Sequence, residues 1–157
     1  YGQVGDIDGS DGSVVTRLLA RGFLPVVSPL SCDSSGQLLN INADTVAAAI
    51  GGALVAEKLI LCTGAPGILE RVDDPQSLIS YTDLAGLHRL REKGAITDGM
   101  LPKSSAIEAA IRGGVRRVHV ISYAETDSLL AEIFTNEGKG TLVVADTKAL
   151  TAAEQGQ

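Results

Sequence analysis

The stretch Asn40-Ile41-Asn42-Ala43-Asp44 decides how this chain can fold, because it marks a change from strand to helix. Upstream, the apolar run at 23–28 predicts a buried strand. Downstream, apolar residues recur at helical spacing, which predicts a helix over 44–55. The three polar side chains of the stretch stand at alternate positions at this junction. Open α/β folds bind substrates at the carboxyl ends of their strands, so the stretch predicts half of a ligand site.

Strand and helix patterns alternate along the rest of the chain. The predicted strands cover residues 23–28, 58–63, 78–81, 117–121 and 141–144, with a short hairpin arm at 37–41. The predicted helices cover residues 14–22, 44–55, 83–93 and 127–134, the last of them capped by Asp127. A further helix is predicted after the loop at 94–102; it includes residues 105–111 and is closed by Gly113-Gly114. This alternation predicts a three-layer αβα sandwich with a mostly parallel sheet over residues 1–144. Residues 145–157 are small and polar, which predicts a flexible tail.

Composition and charge exclude several classes of protein. The 157 residues suffice for one domain with a core, and the net charge of -6 disfavours a general nucleic-acid or membrane-surface role. No apolar run is long enough to span a bilayer. Cys32 and Cys62 fit no zinc or redox spacing. Because Cys62 lies in an apolar run, we expect it to be a reduced thiol in the core.

A second stretch, residues 97–103, offers a positive charge, Lys103, that could complement Asp44. A lysine at the start of a helix lies beside the positive end of the helix dipole, where it is slightly disfavoured and usually solvated. A bound phosphate there would meet both the ammonium group and free backbone N–H groups. The simpler interpretation of Asp44 is a helix cap. A calcium loop is excluded because its sixth and twelfth positions are Thr45 and Gly51, where glycine and glutamate are needed.

The loop at 63–67 combines glycines with the end of a predicted strand. It could hold a nucleotide, although an ordinary turn between strand and helix is the commoner case. Neither a Walker loop nor a dinucleotide-binding fingerprint occurs in the sequence. His88 and His119 have no visible partner in the sequence. We expect His88 to be solvated and His119 to lie in the core or at the edge of a ligand site.

Seven segments together resemble the carboxyl-terminal half or more of the amino acid kinase family, and within it the acetylglutamate kinases. They are residues 2–7, 22–29, 36–44, 57–63, 67–69, 96–103 and 134–141. They keep the family's order from residue 2 to about residue 144. The most specific are Asn-x-Asn-Ala-Asp, which ends at Asp44, and Gly-Met-x-Pro-Lys, which ends at Lys103.

The resemblance implies phosphoryl transfer from ATP, with Mg2+, to the side-chain carboxylate of N-acetyl-L-glutamate, an early step of arginine biosynthesis. Asn40 and Asn42 would bind the acceptor. Asp44 would orient the catalytic lysines, and Lys103 would stabilise the charge on the transferred phosphoryl group. The nucleotide would be bound by Thr63, Gly64, Ala65, Pro66, Gly67, Ile68, Leu69, Ala95, Ile96, Thr97, Gly99 and Met100. No residue is assigned as a metal ligand. The resemblance also implies a cytoplasmic enzyme that is a homo-oligomer at full length.

The chain departs from the family in two places. Gly64 stands where the family usually has an acidic residue, so a side-chain contact to the nucleotide is missing there. The family's amino-terminal half, with its Lys-x-Gly-Gly strand, Gly-Gly loop and Arg, has no counterpart in the 157 residues. We therefore expect the chain alone to bind nucleotide weakly without turnover.

The ending at 129–140 resembles the arginine-inhibited branch of the family, in which Glu132 and Glu137 could pair with a guanidinium. Solvated surface carboxylates are the simpler interpretation of these two residues.

Three alternatives to an acetylglutamate kinase remain open. The chain could instead belong to an aminoadipate-type kinase, or to the arginine-sensing, kinase-like domain of an acetylglutamate synthase. A plain α/β ligand-binding domain is the third alternative. Catalysis requires that Asp44 and Lys103 meet at one edge of the folded sheet.

Overall fold

The computed structural model describes residues 4–97, 99–135 and 138–149, and within them strands and helices alternate. The helices are α1 Ser13–Ala20, α2 Ala43–Ala53, α3 Leu84–Glu92, α4 Leu101–Arg112 and α5 Ser128–Phe134. The strands are β1 Leu30–Cys32, β2 Leu38–Asn40, β3 Lys58–Thr63, β4 Tyr81–Asp83, β5 Arg117–Ser122 and β6 Thr141–Val144. Short 3-10 turns follow at Pro75–Ser77 and Thr147–Ala149.

Four strands form the main sheet in the order β3-β5-β6-β4. The pairs β3–β5 and β4–β6 are parallel, whereas β5 and β6 run antiparallel. The prediction of a mostly parallel α/β sheet is thus confirmed, with one antiparallel step at its centre. The strands β1 and β2 form a separate antiparallel hairpin that leads directly into α2.

Alternate side chains of β5 define the layers of the domain. Val118 and Val120 are fully buried in the core cluster that also contains Ile107 of α4. His119 points to the opposite face of the sheet, because successive side chains of a strand alternate, and there it contacts Glu132 of α5. Helices therefore cover both faces of the sheet, and the predicted three-layer sandwich is confirmed.

Helices α2 and α4 lie side by side and point in the same direction. Near their carboxyl ends they approach closely, since a Cβ atom added to Gly52 would lie 3.4 Å from the carbonyl oxygen of Gly113. Near their amino ends, Asp44 of α2 contacts Lys103 of α4. The two helices therefore run parallel, and both of their amino termini lie at one edge of the domain.

The predicted buried strand at 23–28 is wrong in the described part of the chain. No described strand pairs with this segment, and its apolar side chains are exposed, with Val26 at 93% of its full accessible surface. The prediction failed because the sequence shows only that these side chains are apolar. Burial also needs an opposing surface, and none of the described elements provides one.

Smaller corrections concern the ends of elements. The predicted strand at 78–81 is displaced to Tyr81–Asp83, and Leu78 makes only an isolated bridge to Leu69. Asp127 precedes α5 in a left-handed conformation with φ 61°, and its side chain makes no capping hydrogen bond to the described backbone. In the predicted tail, Thr147 donates a hydrogen bond of 3.0 Å to Asp83, while residues 150–157 lie outside the described range.

The predicted core position of Cys62 is also wrong. In β3 the buried residue is Leu61, and the alternation of the strand turns Cys62 to the other face, where it is exposed. An apolar run does not tell which of its residues face the core. No helix in the described residues has the length and apolar character needed to cross a membrane.

Candidate active site

Asp44 and Lys103 form an ion pair, as the two sequence motifs predicted. Although they lie 59 positions apart, Lys103 Nζ is 2.8 Å from Asp44 Oδ1 and 2.9 Å from Oδ2. The side chain of Lys103 is 10% exposed and that of Asp44 25% exposed. The ammonium group is therefore held in a fixed direction while the pair still reaches solvent.

Local sequence places each member of this pair in the first turn of its helix. Asn42 caps α2, since its Oδ1 accepts hydrogen bonds from the backbone N–H groups of Asp44 at 2.9 Å and Thr45 at 3.3 Å. Pro102 stands in the first turn of α4, where its missing N–H costs no helical hydrogen bond. The cap is thus Asn42 rather than Asp44, and the carboxylate of Asp44 is free to meet Lys103.

Chain direction brings the amino termini of α2 and α4 to the carboxyl ends of the strands that follow them. Helix α2 leads back into β3 and α4 leads back into β5, and these two strands are parallel. We call this edge the rim; it comprises Thr63, Ser122 and the first turns of α2 and α4. Helix amino termini carry partial positive charge and free N–H groups. Together with Lys103 they make the rim a favourable place for a phosphate group.

The predicted nucleotide loop at 63–69 begins at the rim and then enters the core. The carbonyl of Thr63 accepts a hydrogen bond from the backbone N–H of Tyr123, and Gly64 is exposed. Ala65, Pro66 and Leu69 are half-buried, and Gly67 is buried. The backbone N–H of Ile68 donates to Thr141 Oγ1 at 2.8 Å, and the side chain of Ile68 is buried. Gly67 and Ile68 are therefore the positions of this loop that are least accessible to a nucleotide.

The second predicted nucleotide segment, around 95–100, closes the connection between α3 and α4. Ile96 is buried in the core, with Ala95 and Met100 packed against it. Thr97 and Gly99 are exposed. The carbonyl of Thr97 accepts hydrogen bonds from the backbone of Met100 and Leu101, so this turn starts α4 just before Lys103. Asp98 lies outside the described residues.

Asn40, predicted to bind the acceptor, is an exposed residue at the end of β2. It pairs with Leu30 in the hairpin, and its carbonyl accepts a hydrogen bond of 3.1 Å from the backbone N–H of Gly5. The Oδ1 atom of Asn42 already accepts hydrogen bonds as the cap of α2. The roles of both residues in binding an acceptor remain predictions.

The fold and the pair at the rim agree with a comparison of sequences. The sequence pattern of the Amino acid kinase family matches residues 2–122. The chain belongs to the amino acid kinase family.

Two relatives within this family are acetylglutamate kinases. That of Myxococcus xanthus is 46% identical over 156 residues, which are 99% of this chain and 51% of that protein. That of Archaeoglobus fulgidus is 46% identical over 142 residues, which are 90% of this chain and 49% of that protein. The chain thus spans about half the length of these kinases.

Solved structures of known proteins share the fold. N-acetylglutamate synthase from Neisseria gonorrhoeae, complexed with coenzyme A and L-arginine, has a TM-score of 0.83 and 29% identity. The match covers 91% of this chain and 32% of that one. Carbamate kinase from Giardia lamblia bound to AMP-PNP has a TM-score of 0.66 and 19% identity, over 86% of this chain and 44% of that one, which shows the fold alone.

A charged cluster between α3 and α4 was missed by sequence reasoning in this amino acid kinase chain. Arg91 Nη1 lies 2.8 Å from Glu108 Oε2, and Arg112 and His88 lie 2.6 Å and 3.4 Å from Glu108 Oε1. The hydrogen bond from Arg91, with the charges of Arg112 and His88, holds the pKa of Glu108 below its ordinary value. His88 is solvated as expected, with its side chain 53% exposed, but it has Glu108 as a partner. The spacing of Glu108 and Arg112 could have indicated their pair.

A second pair lies on the opposite face of the sheet. His119 Nδ1 and Glu132 Oε1 are 2.6 Å apart, and both side chains are at least nine-tenths buried. The hydrogen bond with His119 lowers the pKa of Glu132, although burial opposes this shift. Glu132 is thus not a solvated surface carboxylate, because its carboxylate is buried and already paired with His119. Glu137, its predicted companion for a guanidinium, lies outside the described residues.

A groove of about 520 Å³ lies beside α2 and the β1–β2 hairpin. Its lining includes the carboxylates of Asp6, Asp8 and Asp33, and neither Asp44 nor Lys103 lines it. Three acidic groups make this groove unfavourable for a polyphosphate. We therefore place the candidate reaction at the rim.

Proposed function

We propose that this chain forms the nucleotide-binding part of an enzyme that transfers the γ-phosphoryl group of ATP to the side-chain carboxylate of N-acetyl-L-glutamate. The observation that supports this function best is the Asp44–Lys103 pair between two helix amino termini. Phosphoryl transfer needs mainly positioning and stabilisation of negative charge, and this arrangement offers both.

The hydrogen-bond capacity of Lys103 fits this role. An ammonium group has three donors, and two of them are directed at the two oxygens of Asp44. The third donor remains for an oxygen of the transferred phosphoryl group, whose charge increases as it leaves ATP. Asp44 fixes the ammonium group in place before the substrates bind. Mg2+ bound with ATP would neutralise further charge by bridging phosphate oxygens.

The acceptor is proposed from the names of the two acetylglutamate kinases, which match this chain at 46% identity. An aminoadipate-type acceptor remains the rival within the family. From the family resemblance we also propose a cytoplasmic, homo-oligomeric enzyme. These proposals concern the whole protein, and this chain is the part of it that contains the rim.

A second candidate function is an arginine-sensing domain without transfer chemistry. It is favoured by the likeness to N-acetylglutamate synthase, whose structure contains L-arginine, at a TM-score of 0.83. The ready-made Asp44–Lys103 pair favours the kinase, because a sensor has no need of a lysine aimed at a phosphoryl group.

The test uses the longest native polypeptide that contains these residues. We expect it to form an acyl phosphate from ATP and N-acetyl-L-glutamate, which hydroxylamine traps as a hydroxamate. We expect faster turnover with acetylglutamate than with aminoadipate, and inhibition by arginine would extend the proposal to an effector. Absence of hydroxamate, combined with arginine binding in calorimetry, would favour the sensor instead.

The chain of 157 residues offers a separate test. We expect it to bind ATP weakly in an NMR titration, with the largest shifts at Thr97 and Gly64, and to form no hydroxamate. Lys58 lies at the end of β3 opposite to Thr63, so Lys58→Ala serves as a control that should leave ATP binding unchanged. Steady phosphorylation of acetylglutamate by the 157 residues alone would contradict this expectation.

A further inference from the structure

Arg91 joins the last turn of α3 to the first turn of α4. Its Nε donates a hydrogen bond of 2.9 Å to Ser104 Oγ, and its Nη1 donates one of 2.8 Å to Glu108. Its side chain is only one-fifth exposed. Since Arg91 lies near the end of α3 and Ser104 near the start of α4, this contact lies on the same side of the domain as the rim.

Ser104 transmits the contact to the turn that carries Lys103. Its hydroxyl is fully buried, accepts from Arg91 and donates a hydrogen bond of 2.8 Å to the carbonyl of Leu101. The backbone N–H of Leu101 in turn donates to the carbonyl of Thr97. A chain of hydrogen bonds therefore runs from α3 through the first turn of α4 to the predicted nucleotide segment.

Lys103 and Ser104 point in different directions from this turn. Successive residues of an α-helix are about 100° apart around its axis. Ser104 faces α3, where Arg91 binds it, while Lys103 faces α2, where Asp44 binds it. The first turn of α4 is thus held from two sides, and a rotation of this turn would move the ammonium group away from Asp44.

A purely structural role explains Arg91 less well. Glu108 also has Arg112 and His88 as partners, so Arg91 is one of three groups that compensate its charge. Arg91 Nη2 is buried and has no hydrogen-bond partner among the described residues, which makes the position costly. The contact that Arg112 and His88 do not duplicate is the one to Ser104.

We propose that Arg91 is a positioning residue, which sets the direction of Lys103 by holding Ser104. This inference rests on the proposed function of Lys103 in phosphoryl transfer. Among the described residues Arg91 binds Ser104 and Glu108 rather than Asp44 or Lys103, so it acts through the first turn of α4.

The test compares Arg91→Met and Ser104→Ala with Arg112→Met. The Arg112 variant also removes a guanidinium from Glu108 but leaves Ser104 untouched, so it is a matched control. In the longest native polypeptide we expect Arg91→Met and Ser104→Ala to lower kcat about tenfold with little change in KM for ATP, since small misplacements of a catalytic group slow the chemical step. The kcat of Arg91→Lys should lie between the values of these two variants and that of the unmodified enzyme. The double variant Arg91→Met, Ser104→Ala should have a kcat no lower than that of the slower single variant.

The 157-residue chain gives a readout that does not depend on activity. We expect the ammonium signal of Lys103 in 15N NMR to shift or broaden in Arg91→Met and Ser104→Ala, and to stay in place in Arg112→Met. An unchanged Lys103 signal in folded Ser104→Ala, or an equal loss of kcat in Arg112→Met, would overturn the inference. If the unmodified enzyme transfers no phosphoryl group, the proposed function fails, while the NMR signal still decides the role of Arg91.

Discussion

Two charged pairs, one on each side of the sheet, differ in their access to solvent. The Asp44–Lys103 pair joins two helix amino termini at the rim, and a quarter of the Asp44 side chain is exposed. The His119–Glu132 pair joins β5 to α5 and is almost completely buried. Both are long-range contacts between oppositely charged or chargeable groups. Because the pair at the rim reaches solvent, our proposal gives chemistry to it and stability to the buried pair.

The largest expected effect that separates the two pairs is on turnover. Lys103→Ala should lower kcat by about a hundredfold or more, because the charge proposed to stabilise the phosphoryl group in the transition state is lost. Stability should change little, since Asp44 remains favourably placed at the start of α2. The check is steady-state kinetics beside thermal unfolding, with Lys58→Ala as the control. A variant with normal kcat would remove Lys103 from the mechanism.

The buried pair should show the reverse pattern. Glu132→Ala should reduce the free energy of unfolding by about 3 kcal/mol, because it removes one member of a buried, hydrogen-bonded pair. The substitution also removes the hydrogen bond of 3.2 Å that the backbone N–H of Gly140 donates to Glu132 Oε2. Urea unfolding measures the loss. Glu57→Ala breaks exposed contacts to Arg116 and Arg117 and should cost far less. Equal losses in the two variants would contradict the assignment.

The pH dependence of stability sharpens the same contrast. The pKa of Glu132 is lowered in the folded state by its hydrogen bond with His119, below an ordinary value of 4.5. Its stabilisation is therefore complete above the ordinary value and is lost as the pH falls through the lowered pKa. Urea unfolding between about pH 3 and about pH 7 should show this acid loss. The free energy of unfolding should fall less steeply with decreasing pH in Glu132→Gln than in the unmodified protein. An identical pH dependence in both proteins would show that Glu132 does not cause the acid loss.

The smallest expected effect concerns Asn42 beside the rim. Asn42→Ala should cost about 1 kcal/mol of stability, because Oδ1 no longer caps α2. Asn42→Asp keeps the capping oxygen and should retain most of this stability. If Asn42 also binds the acceptor, KM for acetylglutamate should rise in both variants, whereas a role confined to the cap should leave KM unchanged in Asn42→Asp.

Local patterns predicted much of the fold and the central part of the candidate site. The strand Lys58–Thr63 and the strand Thr141–Val144 have the predicted bounds, because their apolar residues and flanking turns lie within a few positions of one another. The pairing of Asp44 with Lys103 was predicted from two motifs and is confirmed in space. The contacts of Arg91 with Ser104 and Glu108 were missed, since they cross between two helices and leave no regular spacing in the sequence.

The sequence by itself determined most of the strands and helices, and it located the change from strand to helix at residues 40–44. Those properties depend on neighbours in the chain, through periodicity, capping and turn residues. Only the tertiary structure decided that Glu132 and His119 are buried together, that Cys62 and Val26 are exposed, and that Arg91 binds Ser104. Burial and pairing depend on which surfaces meet after the chain folds, and residues far apart in sequence carry no local signal of that meeting.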